Sequence, residues 1–248
     1  VLFGATVLRH EVVGSTQDVA RELAAGGVAP GTVVTARFQT WGRGRRGRVW
    51  HAPPDANVCL TAIGPPVKAS VAWQIALVAG LAACDAVRKA APALDARVRF
   101  PNDVTAGGKK VGGVLVETAP FAASADAVVP LIGIGINVRA APLPPDVAVL
   151  ATSLEVALGT PVEISAVEST LLRQLSLAWD EWTWNGFAAT LARWKTFADP
   201  AARRTFVLDG RPTRCRVADL AQDGTLTLET DTSDVCKLNA STVVLGDD

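Results

Sequence analysis

Methionine and tyrosine are both absent from these 248 residues, and histidine occurs twice. Composition alone gives no physical reason for the first two absences, but the third is informative. His10 and His51 stand in neither a triad-like nor a metal-ligand setting, so hydrolase and zinc chemistry have little to rest on. Cys59, Cys84, Cys215 and Cys236 form no CxxC pair and read as free thiols packed as small apolar groups, which suits a reducing, cytoplasmic setting. Net charge is missing too. Lys+Arg and Asp+Glu both count 24, so no global field exists to hold nucleic acid or an anionic membrane, and any anion site must be local. A membrane-length apolar run is also lacking: the stretch from Val71 to Val87 carries Gln74 and Asp85, falls short of the ~20 residues a span needs, and is expected to be a buried helix. No charged-then-apolar leader opens the chain.

What is present is 49% apolar side chain, enough for one substantial core and a small appended unit. Ser15 or Thr16 can cap a helix over residues 16–25, ended by Gly26 and Gly27. Thr32 to Phe38 and Asn57 to Ile63 have strand composition, with a long Gly/Arg loop between them. Ser70 to Ala91 is expected to be a helix capped by Ser70. Arg97 to Phe100, Lys110 to Glu117 and Val128 to Val138 are expected strands, giving a sheet with helices on one face. Helical spacing recurs over 163–182 and 185–197, with Trp179, Trp182, Trp184 and Trp194 expected in the core where the two helices pack. After Asp199-Pro200 the pattern changes to short strands, Thr205 to Leu208, Thr213 to Val217, Thr225 to Glu229 and Thr242 to Leu245, with Asp-Gly turns at 209–210 and 223–224. These features divide the chain into residues 1–199 and a β-barrel-like module over 200–248 that packs against them.

Gly42-Arg43-Gly44-Arg45-Arg46-Gly47-Arg48 contains a literal GxGxxG, but Trp50, Pro53 and Pro54 follow where a dinucleotide fingerprint needs a long helix. Glycines let backbone amides approach an anion, and guanidiniums bind phosphate oxygens bidentately, so a phosphate loop is the natural reading. A solvated basic loop or a nucleic-acid tail is the bland alternative. Phe100-Pro101-Asn102-Asp103 offers oxygens for a ribose, an amine or Mg²⁺, though alone it is an ordinary turn. Lys110 enters an apolar strand ahead of Gly112-Gly113, a costly placement unless it meets an anion. In Gly133-Ile134-Gly135-Ile136-Asn137 small residues on one strand face clear a slot that Asn137 closes, unless the strand is merely tightly packed.

These motifs, in this order, resemble the biotin–protein ligases along most of the chain: Ser15-Thr16, Gln39 before GRGRRGR and Trp50, Pro101-Asn102-Asp103, Lys110-x-x-Gly113, and Gly133-x-Gly135-x-Asn137. The resemblance implies an α+β fold, a class II aminoacyl-tRNA synthetase-like mixed sheet with helices on one face, followed by an SH3-like module. It implies that biotin is held by Ser15, Thr16, Gln17, Gln39, Arg43, Gly44, Arg45, Lys110 and the Gly113 backbone. Arg46, Gly47, Arg48, Trp50, Asn102, Asp103 and Asn137 would serve ATP, and Lys110, Arg45 and Arg46 would act in catalysis. ATP, Mg²⁺ and biotin are the implied small molecules and a biotin carboxyl carrier protein the implied partner, with neither nucleic acid nor membrane; a homodimer is left open. Fourteen residues precede Ser15, too few for a helix-turn-helix, so repression through this chain is not expected. Arg99-Phe100 stands where the family has Lys-Trp, and Gln17 where it has Asn. A lipoate ligase or octanoyltransferase of the same fold, and a biotin-binding protein without turnover, are the rival readings.

Overall fold

Apolar side chains alternate in direction along the central strands, and that alternation builds two unequal cores. The computed structural model describes residues 1–240 together with Thr242 and Leu245. Its main sheet holds β1 (Thr6–Val13), β2 (Thr32–Gln39), β3 (Asn57–Ile63), the two-residue β4 (Val67–Lys68), β5 (Ala96–Arg99), β6 (Asp103–Ala106), β7 (Lys109–Pro120) and β8 (Ala127–Asn137). Seven of them run in the order β1-β2-β3-β8-β7-β6-β5, with β4 pairing β8; β1 lies parallel to β2 and the remaining pairs are antiparallel.

Val58, Leu60, Ile132, Ile134 and Ile136 point to one face, where the helices α2 (Ile75–Ala90) and α5 (Ile164–Phe197) cover them. Each such side chain, removed from water, contributes ~1.5–3 kcal/mol. Val34, Ile63 and Leu131 point the other way and meet Ala20 of α1 (Thr16–Ala25). The two long helices therefore share a face as the sequence predicts, while the short first helix lies across the opposite one. There the glycines of β8 leave open space beside it.

Several local expectations need correction. Ser70 is not a cap: a 3₁₀ turn over Ala69–Gln74 precedes α2. Residues 69–90 are apolar and long enough to cross a membrane by length and composition, but 67% of their most apolar window is buried within the protein. Gly186, at φ 74°, breaks α5 near the expected junction. Trp179 and Trp194 are core residues and Trp182 packs partly against them, whereas Trp184 is 83% exposed. Strands β1 and β6 and two short helices, α3 (Pro145–Leu150) and α4 (Leu154–Leu158), carry too few apolar residues in period to be read from the sequence.

Beyond residue 200, β9 (Arg203–Leu208), β10 (Arg211–Leu220), β11 (Thr225–Thr230) and β12 (Val235–Asn239) form an antiparallel sheet. Asp209 and Gly210 both adopt positive φ, the type I′ geometry that an Asp-Gly hairpin favours. Among the described residues this is an open four-stranded sheet rather than a closed barrel. The expected strand from Thr242 to Leu245 falls mostly outside the described residues, and Leu245 is seen as an antiparallel bridge to Phe206. Phe206 stacks on Phe100, which also packs at right angles to Trp194, so an aromatic cluster joins the small sheet to the large one.

Candidate active site

A β-bulge sets the chemistry. Val104 pairs with Gly112 while Thr105 pairs with Lys110, so β7 carries one extra residue, Val111, which turns into the core. In a regular strand Lys110 and Gly113, an odd number of positions apart, would face opposite sides. The extra residue reverses that parity. Lys110 shares its face with its partner Thr105, Gly113 shares its face with Asp103, and all lie on the side where Gly133 and Gly135 open the slot. Lys110 Nζ sits 2.6 Å from Asp103 Oδ1, and a Cβ placed on Gly113 would come within 3.1 Å of that ammonium.

The slot is real only because side chains are missing. A Cβ on Gly135 would lie 2.4 Å from the Trp50 indole, and one on Gly133 would lie 2.7 Å from Gln17 Nε2. Trp50 thus packs directly against the glycine strands, with Lys110 Nζ 5.5 Å from its ring centroid. The cavity beside it measures about 140 Å³.

One end of this cavity is a network of hydrogen bonds. Ser15 caps α1, its hydroxyl accepting from Gln17 N, which brings residues 15–17 to the cavity wall. Gln39 Oε1 accepts both Thr16 N–H at 2.8 Å and Thr16 Oγ1–H at 3.1 Å, so the Thr61 hydroxyl, 2.9 Å from Thr16 Oγ1, is left as the donor to it. Gln17 Nε2 donates to the carbonyls of Leu115 and Leu131, leaving its Oε1 buried without a partner.

The opposite side is cationic. The Gly/Arg segment folds as a strap: Trp50 N–H donates to Gly42 O, Gly44 N–H to Arg48 O, and Arg46 takes a left-handed φ of 59°. Gly42 admits no side chain, because a Cβ there would meet Trp50 O at 2.4 Å. Arg43 ties the strap down through Asp18 at 2.8 Å and Glu117 at 3.0 Å. Burial lowers the pKa of Arg45, and the neighbouring Arg204 and Arg46 lower it further against the pull of Asp103. Asp103 is 3% exposed; burial alone would raise its carboxyl, but Lys110, Arg204 and Arg99 hold it at about 2.

Of the residues singled out in the sequence, Ser15, Thr16, Gln17, Gln39, Arg43 to Arg46, Arg48, Trp50, Asn102, Asp103, Lys110 and Gly113 line this one cavity. Gly47 does not. Asn137 lies apart, in a second cleft of about 210 Å³ with Asn57, Lys109 and Arg139; its Nδ2 donates to Thr152 O and its Oδ1 is buried without a partner. Asn102 clasps β7, donating from Nδ2 to Val114 O at 2.6 Å while Val114 N–H donates to its carbonyl.

Thr61, Cys59 and Arg204 were not anticipated. Thr61 and Cys59 follow from strand alternation once β3 is known to pair with the glycine strand, through Thr61 with Gly133 and Cys59 with Gly135. Arg204 had no local signal, coming from the small sheet 101 positions beyond Asp103. Burial pushes the Cys59 thiol up to about 12, so it stays neutral and is no nucleophile.

No group of three potential metal ligands exists among the described residues. Asp103 has Lys110 on Oδ1 and both Arg99 and Arg204 on Oδ2. The donor set does not fit a resident metal ion.

The chain is 32% identical over 200 residues to the bifunctional ligase/repressor BirA of Bacillus subtilis, covering 79% of this chain and 61% of that protein. It is 36% identical over 181 residues to a biotin–[acetyl-CoA-carboxylase] ligase of Mycobacterium tuberculosis, covering 68% and 62%. The chain therefore spans somewhat over half the length of these curated relatives. The fold matches the biotin protein ligase of Aquifex aeolicus in complex with biotin and ATP, with a TM-score of 0.80 at 23% identity, covering 98% of this chain and all of that one. Residues 10–137, more than half of the chain and the whole of the glycine slot and strap, match the biotin/lipoate A/B protein ligase family model, and the chain belongs to that family.

Proposed function

We propose that this chain activates biotin with ATP and transfers it to a lysine of a biotin carboxyl carrier protein. The observation that carries the reading is the meeting of a polar pocket end, a side-chain-free slot and an anchored ammonium under an arginine strap. Ser15, Thr16, Gln17 and Gln39 supply hydrogen-bonding groups suited to a compact cyclic urea, and the named M. tuberculosis and A. aeolicus proteins are biotin ligases. Arg43, Gly44, Arg45 and the Gly113 backbone complete that half of the site.

In the first step a biotin carboxylate oxygen attacks the α-phosphorus of ATP; the bond to the β-phosphate oxygen breaks and pyrophosphate leaves. Lys110, Arg45 and Arg46 stabilise the charge that develops on the phosphoryl oxygens once the strap has closed over the ligand. Arg48, Gly47, Trp50 and Asn102 hold the nucleotide, with Asn137 in the second cleft facing its base. In the second step the neutral amine of the carrier lysine attacks the acyl carbon of the mixed anhydride, the acyl–oxygen bond breaks, AMP leaves and the amine loses a proton. No protein nucleophile takes part. The strap closes over the adenylate and keeps water from hydrolysing it. Magnesium enters on the phosphates of ATP as part of the substrate. Residues 1–199 form the catalytic unit and 200–248 the appended module.

A lipoate or octanoate ligase of the same family would seat a linear acyl chain, which leaves the buried Thr16, Gln17 and Gln39 groups unpaired, at ~1–3 kcal/mol for each group. Calorimetry separates the two: biotin binds more tightly than lipoate or octanoate if the reading holds, and tighter octanoate binding overturns it. Mass spectrometry of the products with ATP present separates turnover from mere binding, through the appearance of biotinyl-AMP.

A further inference from the structure

Arg204 belongs to β9 of the small sheet, yet the residue is only 8% exposed and reaches the wall of the ligand cavity. Its Nη1 donates to Asp103 Oδ2 at 2.9 Å and to the Phe100 carbonyl at 3.3 Å. Arg99 Nη2 shares Oδ2 at 3.0 Å, and Lys110 Nζ takes Oδ1 at 2.6 Å. One buried carboxylate thus sits among three cations whose positions are decided by competition for two oxygens. With both guanidiniums on Oδ2, the lysine is confined to Oδ1, on the side of the glycine slot. Removal of Arg204 frees one of the two places on Oδ2, Arg99 keeping the other, and the flexible four-carbon stem of a lysine can follow the freed place.

Docking of the small sheet does not need this contact. The stacking of Phe206 on Phe100 and the seat of Gly224 against Trp73 already join the two parts. A buried ion pair is a poor way to add stability, since apolar residues of similar volume generally serve as well or better. A charged side chain brought from another sheet to the cavity wall is better accounted for by the site than by the interface.

We propose that Arg204 is a positioning residue for adenylation: acting through Asp103, it fixes the ammonium of Lys110 over the glycine slot, so that the C-terminal module completes the catalytic site. This rests on the ligase reading above.

The test is a double-mutant cycle on the full chain, with Arg204→Gln, Asp103→Asn, the double variant and Arg204→Lys, read as single-turnover adenylate formation at saturating biotin and ATP together with the KM for biotin. R204Q should slow turnover by ~10-fold or more while the biotin KM moves less than ~3-fold. R204K should recover most of the rate, because a second cation beside Arg99 again fills Oδ2 and keeps Lys110 on Oδ1. In the D103N background R204Q should cost less than ~2-fold more, since the route through Asp103 is already cut. Circular dichroism melting shows whether each variant is folded at the assay temperature; if R204Q is not, Arg204→Met, which keeps the volume with apolar atoms, replaces it in the cycle. Wild-type turnover in R204Q, losses that multiply in the double variant, or an R204K as slow as R204Q would each overturn the inference. Failure of the wild-type chain to form adenylate from biotin would instead overturn the ligase reading itself.

Discussion

The ammonium of Lys110 and the carboxylate of Asp103 meet at 2.6 Å because β7 carries one extra residue, Val111, where it pairs with β6. Lys109 has the same chemistry and pairs with Ala106, on the other face. Lys110→Ala should therefore slow adenylate formation by at least ~10²-fold, the usual cost of losing a preorganised charge, while Lys109→Ala stays within ~3-fold. Single-turnover kinetics at saturating substrates decide it. A crippled Lys109→Ala, or two normal variants, would contradict the bulge as the device that selects the lysine.

Gly135→Ala tests the slot. The added methyl would lie 2.4 Å from the Trp50 indole, a contact that neither the packed β-sheet nor a large ring can absorb without moving. Overpacking of this kind costs ~1–3 kcal/mol where it is accommodated at all, so biotin affinity should fall by about 10-fold or more. Calorimetry reads it directly, and unchanged affinity would mean that ligand and indole do not share the glycine face.

Asp103 predicts a pH dependence of stability. Its carboxyl is held at about 2 in the folded protein against an ordinary 3.8, so the folded state favours the ionised form. The resulting stabilisation is fully present above about pH 4 and is lost as the pH falls through about 2; a shift of this size corresponds to on the order of 2 kcal/mol. Urea unfolding between pH 5 and pH 2 should show a steeper loss for the wild type than for Asp103→Asn. Parallel curves would contradict the assignment of that carboxylate as the buried ionised partner.

The strap should respond to ligand. Residues 42–50 carry three glycines and four arginines around few apolar contacts, and Arg43 is the residue seen tying them to α1 and β7. Amide exchange over this segment should slow on adding biotin and ATP together. Arg43→Ala should speed exchange in the free protein, and no change in either experiment would indicate a rigid, purely structural loop.

Much of the fold was legible because the longest elements carry strong periodicity: the Val/Ile-rich β3 and β8 and the Ala/Leu-rich α2 lie within a residue or two of their expected bounds, apart from the turn that starts α2. The polar edge strand β1 escaped notice, since its exposed face leaves no apolar pattern. In the site, Ser15 to Gln17, the strap and the glycine strands announce themselves by composition, and most of them line one cavity. Lys110 was found by spacing, but the reason for its orientation was invisible: a single inserted residue reverses the parity of a strand, and Gly112-Gly113 gives no hint of where the pairing slips. Arg204 was hidden for a different reason. Its role depends on how two sheets dock, and no local pattern near residue 204 encodes a carboxylate 101 positions earlier.

The reaction is tested most directly by pyrophosphate release from ATP, followed with purified chain in the presence and absence of biotin. Activation of a carboxylate at the α-phosphorus predicts release that depends on biotin, matches the enzyme concentration in a first burst, and continues when a carrier protein consumes the adenylate. Octanoate and lipoate should not replace biotin. Phosphate in place of pyrophosphate, release indifferent to biotin, or no release at all would contradict the assignment of this cavity as a biotin-activating site.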